Sequence, residues 1–350
     1  MSVFLPALTA LLAFIFSLAL LDQWRERRRA YQLVWAIGML FYAIAAACEA
    51  FAAAGGWNEV LYRLWFLAGG VWTVGWLGLG TAYLLGKTRF GYGFALCLFL
   101  AGLFTFLTPR RAPTEYADAG ILPLIYFLAA FGLAIAVAAE TYFQSDRWPW
   151  FAAAAVVGAT LLSIALMVTT VLPAPGYAVH PGTQVPSAEI LPSSIRLLTP
   201  FMNVTGAFSL LLGALFSAYV FMPKRRVLAY SLDPGQPGDQ FLFNLAISPI
   251  AITVNFFASL PGAIRELAQG KLHSRVPATI LIAIGAFIPA VTDGLFLDQP
   301  TLYELGHLLG VVFLFAGFVV SIETFREIRV PFTHVVVRGA RSEAPGAAEH

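Results

Sequence analysis

The chain has 350 residues, 59% of them apolar and only 11% charged, with a mean hydropathy of +0.78 and a formal net charge of +2. Soluble domains carry about 25% charged residues, and a core of this length cannot hide so much apolar surface from water. The composition excludes a cytosolic enzyme, a secreted domain and a nucleic-acid binder, and so small a net charge implies no anionic partner.

Apolar runs of about twenty residues, long enough to cross about 30 Å of hydrocarbon, fall in chain order at Val3–Leu21, Tyr31–Ala53, Leu61–Leu85, Gly91–Thr108, Gly120–Tyr142, Pro149–Leu172, Pro200–Met222, Val276–Phe296 and Leu302–Ile322. A tenth run, Phe241–Leu260, has Pro249 in its middle and Asn244 and Asn255 on either side. Positive charge decides how it is threaded. With nine crossings and the N-terminus outside, 17 of the 21 lysines and arginines lie on the inner side; Arg63, Arg110, Arg111 and Arg196 lie outside. If the tenth run also crosses, the division becomes 10 against 11. The positive-inside rule therefore selects nine.

The expected fold is an all-α polytopic membrane bundle. It has nine transmembrane helices and one non-spanning apolar segment, re-entrant or interfacial, with the N-terminus outside and the C-terminus inside. The divisions are a seven-helix membrane unit over 1–222, an inner-side basic and apolar segment over 223–275, a two-helix hairpin over 276–322 and a cytoplasmic polar tail over 323–350. The first run lacks a basic leader and is followed by four arginines, which fits a retained helix better than a signal peptide. Cys48 and Cys97 sit inside different apolar runs and read as small core residues. The largest hydrophilic piece is the outer loop Pro173–Pro200, and Arg338–His350 reads as a disordered tail.

An approximate repeat links spans one to three with spans five to seven. Leu5-Pro6, Ala13-Phe14 and Leu18-Ala19 match Leu122-Pro123, Ala130-Phe131 and Ile135-Ala136, and Thr81-Ala82-Tyr83 matches Ser217-Ala218-Tyr219. Two parallel three-helix units joined by span four are a known transporter plan, although small apolar alphabets also match by chance.

Ionisable groups inside lipid are functional candidates. Glu49 and Arg63 stand at similar depths across a short connection, so an ion pair between them is expected. It either closes the hairpin or sets the charge of Glu49 on a proton or cation path. Asp293, Glu304 and His307 gather at the outer ends of the last two spans, with Glu304 and His307 on one helical face. They read as a solvated rim, a proton relay or a weak metal site; no metal is expected. Glu323 near Arg326 reads as an interfacial salt bridge. Trp65, Trp72, Trp76 and Tyr83 recur within about 20° on a regular helix. They form an aromatic stripe beside the small-residue face Gly75, Gly78, Ala82 and Gly86. The stripe either lines a ligand cavity or is core or lipid-facing packing. Phe241–Leu260 either dips into the membrane as two half-helices broken at Pro249, with Asn244 and Asn255 presenting amides to a path, or lies flat on the inner leaflet.

No phosphate loop, His-Glu-x-x-His pair, mid-membrane lysine or pair of haem-ligating histidines is present, so no cofactor is expected and enzyme readings have little support. The expected function is a passive or ion-coupled carrier of a small solute. The alternative is a membrane sensor or accessory subunit that binds a lipophilic ligand and signals through a partner. A lipid-modifying enzyme is a weaker third. Partners are membrane lipids, with a small-molecule ligand and a membrane or cytoplasmic partner protein left open, and no nucleic acid. Arginine outnumbers lysine 18 to 3, as in GC-rich bacterial proteomes, which points to the bacterial inner membrane.

Overall fold

The computed structural model describes residues 3–321 except 145, 181–183, 234 and 297, together with the strand residues 328–329 and 336–338. The pairing of Glu323 with Arg326 and most of the tail therefore lie outside the described residues. Ten helices among the described residues are long and apolar enough to cross a membrane, and the protein is a membrane-embedded helical bundle. The helices are α1 (Phe4–Arg27), α2 (Ala30–Gly55), α3 (Glu59–Leu84), α4 (Phe90–Arg111), α5 (Leu122–Tyr142), α6 (Trp148–Thr169), α7 (Ser193–Phe221), α8 (Gly238–Ala268), α9 (Arg275–Leu295) and α10 (Pro300–Val320). Two short antiparallel strands, β1 (Ile328–Arg329) and β2 (Val336–Arg338), follow.

Local chemistry sets the helix ends. Asn58 caps α3 by accepting the Leu61 N–H at 3.0 Å. Prolines stand in the first turns of α5, α6 and α10, where a missing N–H leaves no bond unmade. Gly56, with φ 85°, closes α2.

Helix α7 is the centre of the bundle and packs against α3, α4 and α9. Its contact with α3 is made by small residues. A Cβ on Gly78 would stand 2.6 Å from the Gly206 Cα, and one on Gly75 would stand 2.6 Å from the Met202 methyl. Gly75 and Gly78 of the expected small-residue face thus form the seam between α3 and α7, whereas Gly86, beyond the end of α3, lies against Pro149 of α6. On one side of it α1, α2, α9 and α10 share a core that includes Phe16, Trp35, Leu314 and Phe318. On the other, α4, α5 and α6 pack around Phe94, Val137 and Trp148. Cys48 and Cys97 are both buried.

Ring contacts show which ends lie together. Phe90, at the start of α4, meets Phe216 near the end of α7 and Trp148 at the start of α6. Trp148 also donates to the Gly86 carbonyl just after α3. Trp35, near the start of α2, packs on Phe318 near the end of α10, and the Arg275 guanidinium at the start of α9 sits over Phe221 at the end of α7. All these ends belong to one pole, where the clusters Arg25–Arg29, Lys87–Arg89 and Lys224–Arg226 also fall; this is the basic pole.

Helix α8 touches basic-pole residues near both of its ends. Phe241 near its start packs on Tyr92 and Tyr142, the basic-pole ends of α4 and α5. Near its other end Ser259 accepts the Arg225 N–H at 2.9 Å, and Gly262 lies over Pro223. Both ends of a stretch about 30 Å long by helical rise thus meet the same pole, and α9 starts where α7 stopped. The helix is unbroken from Gly238 to Ala268, which corrects the expectation of two half-helices. Pro249 removes the N–H that would bond the Leu245 carbonyl, and the Ser248 hydroxyl donates to that carbonyl instead, at 2.9 Å. Both asparagines are engaged in hydrogen bonds to the preceding connection. The Asn255 amide oxygen accepts from the N–H groups of Val227 and Leu228 at 2.7 and 2.9 Å, and its nitrogen donates to the Leu228 carbonyl at 2.8 Å. Asn244 donates to Gln236 at 2.9 Å. Both hold the connection between α7 and α8.

Candidate functional site: a buried carboxylate–tyrosine–histidine cluster

The pole opposite the basic one gathers ionisable side chains from α2, α9 and α10. Glu49, two turns before the end of α2, is 6% exposed. Its Oε1 accepts the Trp65 indole N–H at 2.9 Å and the Tyr303 hydroxyl at 3.3 Å. Both donors are neutral, and among the described residues no lysine or arginine forms an ion pair with it. The expected Glu49–Arg63 pair is absent. Arg63 instead reaches Glu59, one turn back on its own helix, at 2.6 Å, and donates to the Thr170 carbonyl at 2.7 Å and to that of Met167. The last carbonyls of α6 lack intrahelical donors, and a guanidinium with five N–H groups satisfies them and Glu59 together.

The last two spans behave more nearly as their spacing implies. His307 Nε2 meets Asp293 Oδ1 at 2.7 Å across the α9–α10 turn, with Asp293 half exposed. His307 Nδ1 lies 3.1 Å from the Tyr42 hydroxyl, which also stands 3.0 Å from the His307 carbonyl oxygen. The Tyr303 and His307 rings, one turn apart, are 4.7 Å between centroids. Glu304 is buried at 2% exposure between them in sequence. No three His, Cys, Asp or Glu side chains are placed to hold a metal ion among the described residues.

A proton count gives this geometry chemical content. The Tyr42 hydroxyl has one hydrogen. When it donates to the His307 carbonyl, its oxygen can only accept from Nδ1–H, and Nε2 must also be protonated to donate to the Asp293 carboxylate. That is an imidazolium. When the ring is neutral with its hydrogen on Nε2, Nδ1 is an acceptor, and the Tyr42 proton swings from the carbonyl to the ring. Tyr42 therefore changes hydrogen-bond partner with the charge of His307.

Trp65 departs from the stripe for a definable reason. Residues Phe66–Trp72 wind as a π-helix, with the Thr73 N–H bonded to the Ala68 carbonyl five residues back. This winding turns each residue by less than the α-helical 100°, so seven residues no longer return to one face. Trp72 and Trp76 point to α6, donating to Ser163 at 2.8 Å and Thr160 at 3.1 Å. Phe41 packs on both rings. Trp65 points to Glu49 on α2. Trp65 thus bonds to α2, while Trp72 and Trp76 bond to α6 and pack on Phe41 of α2, so the indole N–H groups of the expected stripe are aimed at two different helices.

Sequence reasoning missed Tyr42 and Tyr303. Helical spacing held the signal: Tyr42 and Glu49 are seven residues apart on one face of α2, and Tyr303 and His307 four apart on α10. Above the cluster, the Trp57 and Tyr62 side chains donate to the carbonyls of Gln184 and Ser187 in the long α6–α7 loop, at 3.3 and 2.5 Å. That loop covers the corner between α2 and α3. Compared with known proteins, the chain matches no family, no curated protein and no solved structure.

Proposed function

We propose that the chain is an ion-coupled carrier of a small solute, with the Asp293–His307–Tyr303–Glu49 cluster as its proton site. The carrying observation is one half-exposed carboxylate bonded to a histidine whose ring rests on the tyrosine bonded to a buried carboxylate. Chains of Asp, Glu and His inside a membrane bundle are the usual material of proton relays. A proton taken at Asp293 passes to His307, and the buried Glu49 carboxylate, held by the Tyr303 hydroxyl beside the His307 ring, is the group that answers the change of charge. Because the cluster joins α2, α3, α9 and α10, its charge state bears on how those helices pack, which is what coupling requires.

Nine crossings with the N-terminus outside are the topology of this proposal. The 17-to-4 division of cations and the return of α8 to the pole it left support it. The cluster then faces outward and the basic pole the cytoplasm of a bacterial inner membrane, with segments 1–222, 223–275, 276–322 and 323–350 as the proposed divisions. The repeat remains part of the proposal and implies a solute site between its halves.

The test uses proteoliposomes with an imposed pH gradient and a panel of small solutes. Gradient-driven uptake of at least one solute, lost in Glu49→Gln and Asp293→Asn but kept in Arg63→Gln, is the expected result. Uptake unaffected by either carboxylate substitution would overturn the assignment.

A second reading is a sensor or accessory subunit. The course of α8 along the basic pole favours it, since a helix held there offers a surface to a partner protein. Stoichiometric co-purification of such a partner, with no transport by the chain alone, would select it.

A further inference from the structure

Between α8 and the basic-pole halves of α4, α5 and α7 lies a cavity of about 580 Å³. Its walls are apolar, with Phe99, Ala138 and Phe216 from the bundle and Ile252 and Phe256 from α8. Polar groups collect at one side: the half-buried Arg89, with exposed Lys87 two residues earlier, and the phenols of Tyr92 and Tyr230. The Tyr92 hydroxyl oxygen is buried and has no hydrogen-bond partner. A buried hydroxyl left without an acceptor costs stability, so a phosphate or ester oxygen reaching it gains a ready donor.

We infer that this cavity holds one acyl chain of an anionic phospholipid, with its phosphate against Arg89 and the Tyr92 hydroxyl. Three observations converge on a lipid. The volume falls within the range of small-molecule sites, and apart from Arg89, Tyr92, Tyr230, Ser248 and Thr253 the lining is apolar. The cavity lies at the pole where Arg25–Arg29, Lys87–Arg89 and Lys224–Arg226 cluster, the level at which anionic headgroups meet basic side chains. The helix that closes it also exposes Leu242, Phe243, Ile250 and Ile264, none of which lines the cavity. It is therefore itself surrounded by acyl chains, and a lipid enters sideways without crossing water. The inference needs only the basic pole to face a leaflet with anionic lipid, and it stands whether or not the cluster at the other pole moves protons.

The full chain, purified in detergent and passed through exhaustive delipidation, is examined by native mass spectrometry during titration with phosphatidylglycerol or phosphatidylcholine of identical acyl chains. One phosphatidylglycerol per chain is expected to survive, held at least five-fold more tightly than phosphatidylcholine. Arg89→Gln should weaken retention about five-fold, as loss of one juxtamembrane cation implies. Ala138→Phe, which fills the cavity, should abolish it. Tyr92→Phe, which keeps shape and packing, should weaken it by a smaller factor and guards against misfolding of the other two. Equal retention of the two lipids, retention unchanged in both Arg89→Gln and Tyr92→Phe, or recovery of a neutral isoprenoid or a free fatty acid in place of the phospholipid would overturn the inference.

Discussion

Replacing Gly206 with alanine tests the seam on which the bundle is built. The new methyl would overlap the Val74 carbonyl and stand 2.7 Å from the Gly75 nitrogen, where ordinary contact begins near 3.4 Å. Both neighbours are backbone, so no side chain can swing aside. Helices α3 and α7 must separate by several tenths of an ångström at least, along a seam that also carries Gly75 and Gly78. Overpacking of this kind costs about 1–3 kcal/mol, sometimes more, while glycine-to-alanine in a helix interior returns about 1 kcal/mol. The matched control is Gly132→Ala on α5, whose methyl would meet nothing within 4 Å and which receives the helical gain without the clash. The two variants should differ by about 1–3 kcal/mol, or roughly 2–12 °C in melting midpoint. Fluorescence-detected size exclusion after heating, in one detergent, reads the difference. A Gly206→Ala midpoint equal to or above that of Gly132→Ala would refute the close approach of α3 and α7.

Three further outcomes follow from other contacts. Asp118, in the α4–α5 loop, accepts from the Ser193 N–H at 3.0 Å and from the Ser193 hydroxyl. Burial pulls its pKa up, but the Ser193 hydrogen bonds and nearby Arg196 outweigh that and leave it below the usual carboxylate value. Its contribution is therefore complete above about pH 4 and is lost as pH falls through the lower native value. Proteolysis of the 112–121 loop should accelerate below that pH in the wild type, and Asp118→Asn should flatten the dependence. Asn255→Ala frees the Val227 and Leu228 amides at about 1–3 kcal/mol; trypsin should then cut at Lys224–Arg226 several-fold faster, and an unchanged rate would count against the anchoring role. Arg63→Gln should lower stability by about 2 kcal/mol through the lost carbonyl and Glu59 bonds without altering any property that depends on Glu49. A loss of both together would restore the pairing that the structure separates.

The membrane class and the helix positions were legible because twenty-residue apolar runs leave few alternatives. The Asp293–His307 contact was legible because a short turn forces the last two helices to be neighbours. Glu49 was misassigned for a physical reason. Charge pairing favoured Arg63, but the open carbonyls of α6 and Glu59 offered that guanidinium more acceptors, and no sequence pattern records where another helix ends. The half-helix expectation for α8 treated Pro249 as a break, whereas a serine one residue earlier repaired the lost bond. The lipid-sized cavity left no trace in the sequence, since its walls are ordinary apolar residues from four separate helices.

The π-turn at Phe66–Trp72 makes α3 two gears on one shaft. Below it, the helix is keyed to α7 by glycine contacts and to α6 by Trp72 and Trp76; above it, Trp65 is keyed to α2 through Glu49. The outer turn is thus indexed independently of the seam. Deleting one residue there, as in a chain lacking Gly70, would restore regular winding and turn Trp65 away from Glu49 while leaving the glycine seam engaged. A single-codon deletion would then disengage the cluster from α3 and keep the bundle assembled.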